Sequence, residues 1–101
     1  MLRRSRFKDV VETQLDLFAR DERWYLDEVE RALERYNRAD ADEAEELYGD
    51  YQLAIEAATD ELAVSRDAYA RTLADPERYV TEFNRAAVRR WPALALTIEE
   101  S

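Results

Sequence analysis

Cysteine and histidine are both missing from the sequence. Their absence removes thiol nucleophiles, disulfides, zinc fingers, His-ligated metals and every Ser-His-Asp arrangement, and with them most catalytic chemistry. Glycine occurs once and proline twice, too little turn material for a sandwich, a barrel or a sheet of many short strands. An all-α fold remains. No stretch approaches the roughly 20 apolar residues of a membrane span, so no membrane contact is expected. The opening Met1-Leu2-Arg3-Arg4-Ser5-Arg6-Phe7-Lys8 has the charge of a signal peptide's start but continues into Asp9, Val10, Val11 and Glu12 instead of an apolar run. The expected location is cytoplasmic, with which the lack of Cys is compatible.

What is present fits a single domain. The 101 residues are 47% hydrophobic and 39% charged, with a formal net charge of −9, so a core can form that removes about 65% of the unfolded surface from water. The charge is uneven: +4 over residues 1–8, −5 over 9–40, −8 over 41–75 and 0 over 76–101. No basic residue lies between Arg38 and Arg66, an interval holding Asp40, Asp42, Glu43, Glu45, Glu46, Asp50, Glu56, Asp60 and Glu61. Such a surface repels phosphate backbones, and no nucleic-acid partner is expected.

Local punctuation predicts three helices, over about 7–37, 41–74 and 76–90, with 92–101 as a C-terminal tail. Asp40-Ala41-Asp42-Glu43 has the form of a capping box. Asp75-Pro76 joins a good N-cap to a proline at the first helical position, and Trp91-Pro92 is a stop. Ser5 or Asp9 is the candidate cap of the first helix. A mostly apolar series recurs at steps of four and three through Val11, Leu15, Phe18, Glu22, Tyr25, Val29, Ala32 and Tyr36, interrupted at Glu22, and through Ala44, Tyr48, Tyr51, Ile55, Ala58, Leu62, Ser65, Tyr69 and Thr72, the spacing that holds one stripe against a neighbour. Two long helices joined by about three residues predict an antiparallel hairpin. Its length and pattern invite comparison with the small secreted WXG-type proteins, but their Trp-x-Gly turn is absent; the turn reads Asn37-Arg38-Ala39-Asp40.

At 1.5 Å per residue the long helices span roughly 45–50 Å and the third only about 22 Å, which leaves the hairpin end unpartnered. Tyr25, Val29, Ala32, Tyr36, Tyr48, Tyr51 and Ile55 are the candidate interface there, with Trp24 in the same aromatic group and Gly49 allowing close approach of another helix. Residues 92–98 are expected to run extended over part of this stripe, and a second copy to cover the rest, giving a helical bundle with two-fold symmetry. Three functions follow, in order. The first is a non-enzymatic homodimer that works by binding another protein. The second is an acidic inhibitor-like or antitoxin-like module using Asp42, Glu45, Glu46 and Asp50 against a basic partner; in the plainer version, Arg31, Arg35 and Arg38 screen these acids. The third is a carboxylate-only metal site of Glu22, Glu56 and Asp60; in the plainer version, Glu22 sits at the stripe's edge and pairs with Arg20, Arg23 or an Arg of the third helix. No catalytic residue and no cofactor are assigned.

Overall fold

The computed structural model describes residues 7–100. Among them are five α-helices and no strand: α1 (Lys8–Asp21), α2 (Arg23–Asn37), α3 (Ala44–Ala70), α4 (Pro76–Arg90) and α5 (Ala95–Glu100), with a 3-10 turn over Pro92–Leu94 ahead of α5. The cationic start with Arg3, Arg4 and Arg6, and the Ser5 cap, lie outside the described residues. α1 begins after Phe7 without a side-chain cap, and Asp9 falls inside its first turn.

The long first helix expected over 7–37 is two helices. The Glu22 N–H still donates to the Phe18 carbonyl at 2.8 Å, completing α1, and the Tyr25 N–H then donates to the Glu22 carbonyl at 3.1 Å in a tighter turn. Glu22 itself leaves helical geometry at φ −115°, ψ 27°. Neither Gly nor Pro stands at this break, so the cause is tertiary and not local. α1 packs against α4, through Phe18 on Trp91 (ring centroids 5.8 Å apart) and an Arg90–Asp16 ion pair at 2.6 Å, whereas α2 packs against α3. One residue absorbs the change of direction.

The turns follow from nearby polar groups. Asp40 Oδ1 accepts from the backbone N–H groups of Asp42 and Glu43, each at 3.1 Å, so its carboxylate caps a turn over 41–43 and α3 proper starts at Ala44, three residues later than the capping-box reading. At the other end α3 stops at Ala70 instead of 74, where Thr72 folds back to donate its hydroxyl to the Tyr69 carbonyl. Asp75 accepts the Arg78 N–H at 3.3 Å with Pro76 at the first position of α4, and Trp91, ahead of Pro92, ends the helix in extended geometry.

The core is concentrated at one end. Phe7, Val11, Leu15 and Phe18 meet Ala58 and Leu62 of α3 and Tyr79, Phe83 and Ala87 of α4, and Leu94 and Ile98 close it from the C-terminal side. Aromatic edges organise it: Tyr79 lies 5.5 Å from Phe7, 5.1 Å from Tyr69 and 5.9 Å from Phe83, centroid to centroid, separations at which aromatic pairs attract. Segment 92–98 does not run extended over the tyrosine stripe. It coils into the 3-10 turn and α5, burying Leu94 and Ile98 at 1% and 0% exposure; Thr97 then bonds Thr59 at 2.7 Å between hydroxyls. Arg66, 3% exposed, lies beneath this segment, donating to Asp67 (2.8 Å), Asn84 Oδ1 (3.0 Å) and, at 3.5 Å, the Ile98 carbonyl.

The cluster also takes in Val29 of α2, with Tyr25, Leu26, Tyr51, Ala54 and Ile55 packed against it, and the end of α2 past Val29 and the start of α3 before Tyr51 extend beyond it. The molecule measures 56 × 28 × 24 Å with a radius of gyration of 15.5 Å, against about 13 Å for a compact domain of this length.

Candidate functional site

The α2–α3 pair has a closed seam and two open sides. Val29 and Ala32 fill the seam at 8% and 2% exposure. Val29 is therefore not part of an exposed stripe as expected; it is the floor beneath one. Tyr25, Tyr36, Tyr51 and Ile55 are half-buried and Tyr48 is exposed. Tyr36 and Tyr48 meet at 5.2 Å and Tyr48 continues to Tyr51 at 6.3 Å, so the tyrosines at the far end of the pair touch one another.

On the first side, Leu26, Val29, Leu33 and Tyr51 line a groove of about 360 Å³ that is closed at one end by Trp91, Pro92, Ala93 and Leu94. Past Tyr51 it continues into a second depression of about 310 Å³ between Tyr48, Tyr51, Ile55 and the Pro92–Ala93 turn. Arg23, Asp27, Glu30 and Arg90 stand around the first groove, two cations and two anions. Arg23 is 3.8 Å from Asp27.

On the opposite side, Trp24, Tyr25, Ala32, Leu53, Ala54 and Ala57 line a groove of about 240 Å³, with Glu28, Arg35 and Asp50 beside it. Trp24 is 61% exposed, resting edge-on against Tyr25 at 5.0 Å, and Leu53 is 64% exposed. Trp24 belongs to the aromatic group expected at the interface, whereas Leu53 was not singled out, because it stands off the apolar stripe; the signal available for it was a large apolar residue at a position the heptad pattern assigns to solvent.

Gly49 needs no special backbone: its φ is not positive, and a Cβ at this position would meet nothing within 4 Å. Within one chain nothing approaches it closely.

The acidic residues Asp42, Glu45, Glu46 and Asp50 are all exposed. The arginines expected to screen them are engaged elsewhere or stand apart: Arg31 donates to Glu28 at 3.1 Å through Nε and at 2.5 Å through Nη2, and neither Arg35 nor Arg38 forms an ion pair with a described residue. None of the nine carboxylates from Asp40 to Glu61 is in an ion pair among the described residues; the pairs present are Arg20–Asp21, Arg23–Asp27, Arg31–Glu28, Arg66–Asp67 and Arg90–Asp16.

Glu22, Glu56 and Asp60 are not brought together as a metal set. Among the described residues no three carboxylates are placed to hold an ion. Glu22 sits in the break between α1 and α2, where the α-helical register that would have aligned it with α3 is lost, while Glu56 and Asp60 face solvent. Nor does it take Arg20 or Arg23, which pair with Asp21 and Asp27; the Arg20 hydrogen bond lowers the pKa of Asp21.

The most perturbed titratable group lies in the core, away from both grooves. Tyr79 is fully buried, its hydroxyl has no hydrogen-bond partner among the described residues, and burial, with a smaller push from Tyr69 and a small opposing pull from Arg66, raises its pKa to about 12. No described helix is long and apolar enough to cross a membrane. Compared with known family models, curated proteins and solved structures, the chain matches none.

Proposed function

We propose that the protein is a non-enzymatic interaction module that pairs with a second copy through the Leu26–Leu33–Tyr51 groove, so that two α2–α3 hairpins complete a four-helix bundle. The observation that carries this reading is the open, apolar groove on the arm that extends past the core. On this side of the arm Leu33 and Tyr48 are left 37% and 44% exposed, and a helix pair of this kind gains stability by burying such a stripe. The charge around the groove favours a second copy over an unrelated protein. A two-fold interface must be self-complementary, and Arg23 and Arg90 facing Asp27 and Glu30 satisfy that, each cation of one copy finding an anion of the other. Salt screens these exposed pairs and also the repulsion between two chains of net charge −9, so the apolar contact leaves the pair resistant to salt.

Leu33→Glu tests it by sedimentation equilibrium. Leu33 is exposed enough for the variant to fold, yet a carboxylate buried at the centre of the interface without a partner should raise the dissociation constant by at least about tenfold. A wild type that sediments as a monomer, or a variant that dimerises as well as the wild type, overturns the proposal.

A second reading, an acidic module for a basic partner, is favoured by the nine carboxylates from Asp40 to Glu61, none of them in an ion pair among the described residues.

A further inference from the structure

The acidic reading becomes specific on the side of the arm that the dimer groove does not use. We infer that the groove between Trp24 and Leu53 is a docking surface for one cationic, amphipathic helix of another protein. This inference rests on that second reading and is independent of the dimer.

Three features of the surface determine the kind of partner. First, its centre is apolar. Trp24 and Leu53 are about as exposed as side chains on a smooth surface, at 61% and 64%, yet they flank a depression floored by Ala32, Ala54 and Ala57. Small residues in the floor let an incoming side chain approach the backbone, while the indole and the leucine grip it from both sides. Large exposed apolar groups around a concavity are the usual mark of a recognition surface.

Second, the same face of α3 carries on past the groove. Leu53 and Ala57, one helical turn apart, line the groove; Val64, 62% exposed, lies on the same face eleven residues after Leu53, about 16 Å along the axis, with the exposed Asp60 on the face between them. That is the length of three turns of a partner helix, which would set apolar residues against Leu53, Ala57 and Val64 and a cation against Asp60.

Third, the rim is acidic. Glu28 and Asp50 stand beside the groove, Glu46 is one turn before Asp50, and Asp60 and Glu61 lie between Ala57 and Val64. Of these, only Glu28 is in an ion pair among the described residues, with Arg31; Arg35 is the one cation among the described residues that line the groove. A second copy of this chain, at a net charge of −9, would be repelled here, as would a nucleic acid or an anionic membrane. A helix with Lys or Arg flanking its apolar stripe is attracted, and long-range attraction of this kind acts mainly on the association rate.

The experiment uses three labelled synthetic peptides of three helical turns and fluorescence anisotropy: an amphipathic Leu/Lys helix, the same composition shuffled so that no apolar face forms, and the amphipathic pattern with Glu in place of Lys. The full chain should bind the Leu/Lys helix at least about tenfold more tightly than the shuffled peptide and the Leu/Glu peptide not at all, and Trp24→Ala or Leu53→Ser should each weaken the Leu/Lys complex by about three- to tenfold. Both positions are exposed, so circular dichroism of the variants should match the wild type. If the shuffled peptide binds as tightly, or if both substitutions leave the affinity unchanged, the groove is not the site and charge alone holds the peptide; the docking inference is overturned while the acidic reading stands. If no cationic peptide binds, both are overturned.

Discussion

Replacing Tyr79 by phenylalanine should make the protein more stable, although it deletes a polar group from the core. Tyr79 is 0% exposed and touches Phe7, Tyr69 and Phe83 through its ring, contacts that phenylalanine keeps. Its hydroxyl has left water without a hydrogen bond to any described residue. An unsatisfied buried hydroxyl costs about 1–3 kcal/mol, so Tyr79→Phe should gain about 1–2 kcal/mol, or roughly 5–10 °C in Tm for a domain of this size. The gain should grow with pH. The pKa of Tyr79 is about 12 in the folded chain against 10.0 for a free tyrosine, so above about pH 10 the unfolded chain loses a proton that the folded chain keeps. Stability of the wild type therefore falls as pH rises from about 10 to about 12, by up to about 1.4 kcal/mol per pH unit from this one group. Phenylalanine removes that dependence; the other tyrosines contribute equally to both proteins. Thermal melts followed by helical circular dichroism, at neutral and at stepwise alkaline pH and at matched protein concentration, read both effects. A variant that melts below the wild type at neutral pH would refute the reasoning, since the hydroxyl would then have a partner worth keeping.

Three further substitutions probe other parts of the structure. Gly49→Ala, where a Cβ meets nothing within 4 Å, should stabilise α3 by about 1 kcal/mol through helix propensity without changing the molar mass; a lower urea midpoint would mean that something packs against Gly49. Arg66→Ala withdraws a buried guanidinium that donates to Asn84 and Ile98 and should cost about 3 kcal/mol in urea unfolding, whereas a loss within experimental error would show that the site is wet. Thr59→Val removes the hydroxyl pair with Thr97 and should cost about 1 kcal/mol, with faster hydrogen exchange confined to α5; unchanged α5 exchange would detach that bond from the docking of the C-terminal helix.

The helical class was legible from composition, because one glycine and two prolines leave nothing with which to turn strands. The bounds of α4 were legible for a similar reason. Asp75-Pro76 and Trp91-Pro92 act on their own backbone neighbours, and such signals need no tertiary knowledge. The break at Glu22 was not legible, since Arg20-Asp21-Glu22-Arg23 is acceptable helix sequence and only the divergent packing of α1 and α2 bends it. Segment 92–98, expected to run extended, is a 3-10 turn leading into α5; its outcome was not legible because Leu94 and Ile98, four residues apart, share one face in a strand as in a helix. At the candidate site, the periodicity located the tyrosine-rich arm but placed Val29 on its surface instead of in its seam. It passed over Leu53 because a pattern of buried positions says nothing about apolar residues that remain outside it; Trp24 was reached only through the aromatic group it shares with Tyr25, Tyr36, Tyr48 and Tyr51.

The dimer at the Leu26–Leu33–Tyr51 groove is the central claim, and the molar mass of the wild type in solution tests it most directly. Light scattering behind size exclusion, at low and at high salt, should give a mass near twice the 11.9 kDa of one chain, undiminished at high salt because the contact is apolar and the repelling charges are screened. A mass of one chain across the accessible concentrations, or a dimer that dissociates as salt rises, would contradict it.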